Sequence, residues 1–262
     1  MVARLRVDMV MRTRELGRTG INVSEIGFGT WGLGGDSYGP VEDAQSVKAL
    51  RHAFDNGINF YDTAAFYGAG HSERIIQQAL GAVRNEVIIT SKVELLSDNR
   101  ADFTPDEARF HILSELEQSL SRLQTDYLDV YLMHSPDLSR TGAIDVAVKV
   151  LLDLKKEGRI RAWGISTRSP KDALVAIERW GSEVIEVNYN VIDQRSREIG
   201  LFDMVEAAKV GLICRTPLCF GYLTGTLNGS TEELSPIDHR AAWSVRQRAI
   251  WAKSPHFFSK FY

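Results

Sequence analysis

Apolar positions in this chain fall into short continuous runs, separated by longer stretches in which they recur every three or four residues. The runs cover residues 58–61, 87–92, 128–133, 160–165, 184–187 and 211–214, with a shorter one within 24–30. Short unbroken runs of this kind read as strands covered on both faces. The stretches between them, residues 42–56, 72–82, 104–123, 144–156, 171–179 and 201–208, predict helices. The first sets Ala44, Val47, Leu50, Ala53 and Phe54 on one face, and Gly57 ends it. Thr104-Pro105-Asp106-Glu107 has the form of a capping box with proline at the first helical position. The stripe Phe110, Leu113, Leu116, Leu120 and Leu123 follows it. Lys155 and Lys156 end the next helix, before Gly158. Residues 14–23 predict a hairpin about Gly17-Arg18-Thr19-Gly20, and residues 240–251 predict further helical turns.

Strand and helix thus alternate seven times. Right-handed crossovers make such strands parallel. Both an open doubly wound sheet and a closed barrel satisfy the alternation. Regular spacing, and four successive strands ending in polar or ionisable groups, favour a (β/α)8 TIM barrel entered by an N-terminal β-hairpin. No break in composition marks a linker, so residues 1–262 read as one domain, with 1–10 as a loose tail. After Cys214 the pattern offers no eighth strand or C-terminal helix. Three readings of this stay open: a truncated chain, a tail from Arg240 that plugs the gap, and a partner that supplies the missing piece.

Composition narrows the function. Of 262 residues, 44% are hydrophobic and 25% charged, as in ordinary globular domains. A net charge of -3 argues against a nucleic-acid partner. No apolar run approaches the ~20 residues that span a bilayer, and the arginine-dotted N-terminus has no apolar leader, so a cytoplasmic protein is expected. Cys214 and Cys219 lack metal-type spacing, so no metal is expected and a reducing compartment fits. Oligomeric state is not readable.

Candidate chemistry begins in residues 57–68, where a short strand delivers Asp62 and the loop after it carries Tyr67. Lys92 and His134 end the next two strands of the series. Each alone has a structural explanation as a turn or rim residue. Together, at the carboxyl ends of successive strands, they form a constellation. A phenol is a poor proton donor at neutral pH, but an adjacent ammonium stabilises its phenolate. A carboxylate holds the ammonium charged, and a histidine can orient a carbonyl oxygen. This suits reduction of a small-molecule carbonyl by an external hydride. Two other functions stay in view: a nucleotide-binding regulatory protein with weak turnover, and a Schiff-base enzyme using Lys92, which a neighbouring Asp62 disfavours. Trp31, Tyr38 and Phe66 suggest an aromatic mouth.

The stretches Glu15-Leu16-Gly17-Arg18-Thr19-Gly20, Gly27-Phe28-Gly29-Thr30-Trp31, 57–68, Thr90-Ser91-Lys92, 129–134, 158–166 and Pro217-Leu218 with 221–225 resemble the aldo-keto reductase family. The resemblance implies a TIM barrel with NADP(H) extended across its top. It also implies reduction of aldehydes or ketones to alcohols, or the reverse, including on sugars. Tyr67 would then be the proton donor, tuned by Lys92 and Asp62, with His134 orienting the carbonyl. By the same matching Ser166 and Thr167 hold the carboxamide, Thr167 replacing a more usual Asn, and Asn188 stands where Gln is more usual. Arg215 or Thr216 backs the nicotinamide, and Thr216, Pro217, Leu218 and Gly221 follow the pyrophosphate, while Thr30, Trp31 and Asp62 flank the cofactor. The family's eighth strand, the loop that grips the 2′-phosphate and a lysine near Thr226 have no counterpart here, so the preference for NADP over NAD rests on the resemblance.

Overall fold

The computed structural model describes residues 11–95, 104–224 and 234–241. A hairpin of β1 (Thr13–Glu15) and β2 (Asn22–Ser24) opens the chain. The main sheet follows: β3 (Phe28–Gly29), β4 (Phe60–Asp62), β5 (Ile88–Val93), β6 (Leu128–His134), β7 (Ile160–Thr167), β8 (Val184–Asn188) and β9 (Gly211–Arg215). All seven are parallel and lie side by side in chain order. Helices α1 (Asp43–Asp55), α2 (His71–Leu80), α3 (Pro105–Leu123), α4 (Thr141–Lys156), α5 (Pro170–Trp180) and α7 (Leu201–Ala208) form the crossovers, and a short α6 (Arg195–Glu198), not expected from the pattern, precedes the last. The sheet is a curled, open form of the (β/α)8 barrel, with β3 and β9 at its edges among the described residues.

The pleat sorts the side chains. Tyr61, Ile89, Tyr131, Met133, Trp163, Ile165 and Val187 point outward and pack with Ile75, Leu116, Leu120 and Leu151 of the helices. Phe60, Val130, Leu132, Ala162 and Val184 point inward, where Leu16, Ile21 and Val23 of the hairpin pack on them. Arg18 anchors the hairpin from outside, its guanidinium donating to the carbonyls of Ala208 (2.7 Å) and Gly181 (3.0 Å) at two helix C-termini. Gly164 lets β7 and β8 close up, since a Cβ there would meet the Val184 carbonyl oxygen at 1.9 Å.

The Thr104 capping box forms as expected. The stripe on α3 needs one correction. Its buried face is Ala108, Ile112, Leu116, Ser119, Leu120 and Leu123, while Phe110 is 75% exposed. Phe110 is two residues from Ala108 and from Ile112, which turns it about 200° away from each around a 3.6-residue helix. The expected turns after Arg240 and the region of Thr226 lie outside the described residues, apart from Arg240 and Ala241 in a turn.

Candidate active site

Alternation along the strands builds the site. Two residues beyond inward Phe60 stands Asp62, beyond Ile88 and Thr90 stands Lys92, and beyond Val130 and Leu132 stands His134. The same parity carries Ala162 and Gly164 to Ser166, Val184 to Glu186 and Asn188, and Gly211 and Ile213 to Arg215. Six strands thus deliver polar groups to one end of the barrel, at their carboxyl termini.

Lys92 is the centre. Its ammonium donates to both Asp62 oxygens at 2.7 Å, to the Thr63 carbonyl at 2.9 Å and to the Tyr67 hydroxyl at 3.4 Å. Glu186 Oε2 lies 3.4 Å from the same nitrogen. Burial disfavours the charged amine, but Asp62 and Glu186 outweigh it and raise Lys92 above its ordinary value. A lysine held charged and donating in this way is not the free amine that Schiff-base chemistry needs. Burial and Glu186 raise Asp62. Burial would also raise Glu186, but Lys92 and Arg215 hold it below the usual carboxylate range.

Tyr67 is 5% exposed and burial pushes it up to about 12, against the pull of Lys92. Its loop is pinned by glycine: Gly68 sits at φ +57°, where a Cβ would meet the Gly34 carbonyl oxygen at 2.3 Å. The His134 ring lies 6.1 Å from the Tyr67 ring, edge to face. Burial, then the charges of Lys92 and Arg215, lower His134 to about 3, so its imidazole is neutral at physiological pH.

The remaining expected residues divide by the work their side chains do. Ser166 donates to Glu186 (3.1 Å) and accepts from Arg215 (3.0 Å). Asn188 Oδ1 is buried without a hydrogen-bond partner. Thr167 has the outward parity of Ile165, and its Oγ1 accepts from the Ser169 N–H. Thr30 is fully buried and bonds the Asp62 carbonyl through both its N–H and its hydroxyl, buttressing the strand end. Trp31 lies 6.4 Å from Tyr67 and meets Tyr38 edge-on at 5.3 Å. Phe66 stands exposed beside His134. The mouth also includes Phe220 and His239, both near Trp31, which the sequence did not single out. Thr216 and Gly221 hold left-handed backbone in the loop after β9, and Leu218 there is 56% exposed. Glu186 too went unforeseen. Its signal is a lone carboxylate inside the apolar run of a two-sided buried strand.

A groove of about 1090 Å³ runs between the edges β3 and β9 up to this mouth, reaching Trp31, Asp62, Tyr67, Glu186, Arg215 and Pro217. That is just above the range of ordinary ligand sites, ~300–1,000 Å³. A second hollow of about 820 Å³, near Gln124, Tyr127 and Arg159, lies at the opposite, N-terminal end of the strands, away from the chemistry. For a pyridine carboxamide the donor set fits: the orphaned Asn188 oxygen can accept its N–H, and Arg215 and Ser166 stand within the same wall.

Known proteins resemble this chain in sequence and fold. The model of the Aldo/keto reductase family matches residues 25–252. The aldo-keto reductase YhdN of Bacillus subtilis is 35% identical over 227 residues, covering 85% of this chain and 66% of that protein. Among solved structures, the holo form of aldo-keto reductase AKR11C1 from Bacillus halodurans superposes with a TM-score of 0.70 at 29% identity, over 86% of this chain and 71% of that one. An aldo-keto reductase from Klebsiella pneumoniae in complex with NADPH gives a TM-score of 0.67 at 29% identity, over 84% and 72%. The chain spans about 66% of the length of the curated relatives it matches. Among the described residues no helix is long and apolar enough to cross a membrane. An inward Asp, Lys and His on three parallel strands, a phenol beside them and a family match across most of the sequence lead to one assignment: this chain belongs to the aldo/keto reductase family.

Proposed function

We propose that this chain carries the centre of an NADP(H)-dependent oxidoreductase that interconverts aldehydes or ketones and alcohols, with Tyr67 as the proton donor. The carrying observation is the convergence of Asp62 and Tyr67 on the Lys92 ammonium, with the His134 ring beside that of Tyr67. The Klebsiella relative's NADPH complex supports the choice of nucleotide. Ser166 and Asn188 would hold the carboxamide, while outward Thr167, its hydroxyl engaged by the Ser169 N–H, would not; Arg215 or Thr216 would back the nicotinamide, Thr216, Pro217, Leu218 and Gly221 would follow the pyrophosphate, and Thr30 and Trp31 would flank it.

When bound, NADPH supplies a hydride to the carbonyl carbon. As charge builds on the carbonyl oxygen, Tyr67 gives it the phenolic proton. Lys92 stabilises the phenolate left behind, with its own charge secured by Asp62 and Glu186. Neutral His134 donates a hydrogen bond to the same oxygen and fixes its direction. At neutral pH the resting phenol keeps its proton, as a donor must. In the reverse direction the phenolate accepts the alcohol proton.

NADPH oxidation with 4-nitrobenzaldehyde tests this reading. Turnover is expected, and Tyr67→Phe lowers kcat by about 10²–10⁴-fold. Normal turnover by that variant defeats the assignment. NADPH quenching of tryptophan fluorescence without turnover places the chain with nucleotide-binding regulatory proteins instead.

A further inference from the structure

Glu186 is buried in the wall of the groove, where it touches the Lys92 ammonium but not the Tyr67 hydroxyl. Three of its contacts are fixed: Ser166 Oγ at 3.1 Å, Lys92 Nζ at 3.4 Å and Arg215 at 3.7 Å. Its Oε2 has no hydrogen-bond partner, although Lys92 lies within ion-pair range. Lys92 therefore sits between two carboxylates, Asp62 on β4 and Glu186 on β8, and also donates to the Thr63 carbonyl and to the phenol it is meant to serve.

We propose that Glu186 is a positioning residue that shares the Lys92 ammonium with Asp62, weakens its hold on the Tyr67 oxygen, and so sets the pH range over which the phenol releases its proton. The proposal rests on the oxidoreductase reading for its consequence and on the charge arrangement for its cause. The charged and titratable groups about Glu186 are Asp62 from β4, Tyr67 from the loop after it, Lys92 from β5, His134 from β6 and Arg215 from β9. Of these, Asp62 and Glu186 disfavour a phenolate, whereas Lys92 and Arg215 favour it. His134 is neutral across the working range. Removing one negative charge from this set shifts the balance toward the phenolate. A hydrogen-bonding side chain at position 186 still satisfies Ser166, so Glu186→Gln isolates the charge.

The test uses the full chain and two readouts. The first needs no cofactor: absorbance near 295 nm at about pH 10, with the Tyr67→Phe protein subtracted, reports the Tyr67 phenolate. Glu186→Gln is expected to raise that phenolate fraction several-fold, about tenfold for a shift of one unit. The second is the pH profile of NADP-dependent alcohol oxidation, whose rise should move to lower pH by a matching amount. Glu186→Asp keeps the charge but withdraws it by one methylene, so it should give a smaller shift of the same sign. Should Glu186→Gln not fold, the Asp variant decides the sign alone. Unchanged phenolate and unchanged profile in a folded variant overturn the proposal while leaving the oxidoreductase reading intact. No turnover in any variant defeats that reading, and the phenolate measurement still decides the role of Glu186.

Discussion

Lys92 presents its ammonium to both oxygens of Asp62 at 2.7 Å, inside a wall of strand ends that excludes water from the amine. The pair is asymmetric in its support. Among the described residues Asp62 answers to Lys92 alone as a close cation, whereas Lys92 is shared with Glu186.

That asymmetry predicts unequal costs. Lys92→Met takes the close cation from Asp62 and leaves Glu186 with Arg215 alone, and should destabilise the fold by about 3–5 kcal/mol. Asp62→Asn keeps the hydrogen-bonding shape and leaves Glu186 as counter-charge, so its cost should be clearly smaller. Urea unfolding of both variants checks the order. Equal costs would contradict the shared arrangement.

His134 makes the fold sensitive to acid. Its folded value is near 3, below the ordinary imidazole value of 6.5, because burial and then Lys92 and Arg215 oppose its charge. Between those values the unfolded chain binds the extra proton and the native chain does not, so this contribution is fully present above about pH 6.5 and is lost as pH falls toward 3. His134→Gln should remove that part of the slope, on the order of a few kcal/mol across the window. Unfolding free energies at about pH 7 and about pH 5, compared between wild type and variant, measure it.

Gly68 links backbone to chemistry. Gly68→Ala must relieve a contact with the Gly34 carbonyl at a positive φ, and the residue before it is Tyr67. The expected result is a folded protein with turnover reduced by about 10–100-fold, since misplacing a catalytic group by ~1 Å costs that much. Circular dichroism with steady-state kinetics separates the two effects.

The exposed side of α3 supplies a control. Phe110→Ser should change stability by no more than about 0.5 kcal/mol, whereas Leu116→Ala on the buried face should cost about 2–5 kcal/mol. Thermal unfolding of the two variants tests the corrected helix face.

Much of this molecule was legible in the chain itself. Strand and helix follow from local periodicity, and strand parity alone aims Asp62, Lys92 and His134 at one side, because side chains alternate with a fixed period of two. The Thr104 cap and the turns at Gly17 and Gly57 are likewise decided within a few residues. Phe110 was misplaced because an apolar stripe drawn by type ignores which face the sheet actually meets. Glu186 lay beyond local reasoning for a different cause. Lys92 and Glu186 stand on β5 and β8, with two strands between them, and their 3.4 Å approach exists only because the sheet curls back on itself. The sequence by itself determined which groups point inward; only the tertiary structure decided which of them meet, since the distance between strands three places apart is set by the curvature of the whole sheet.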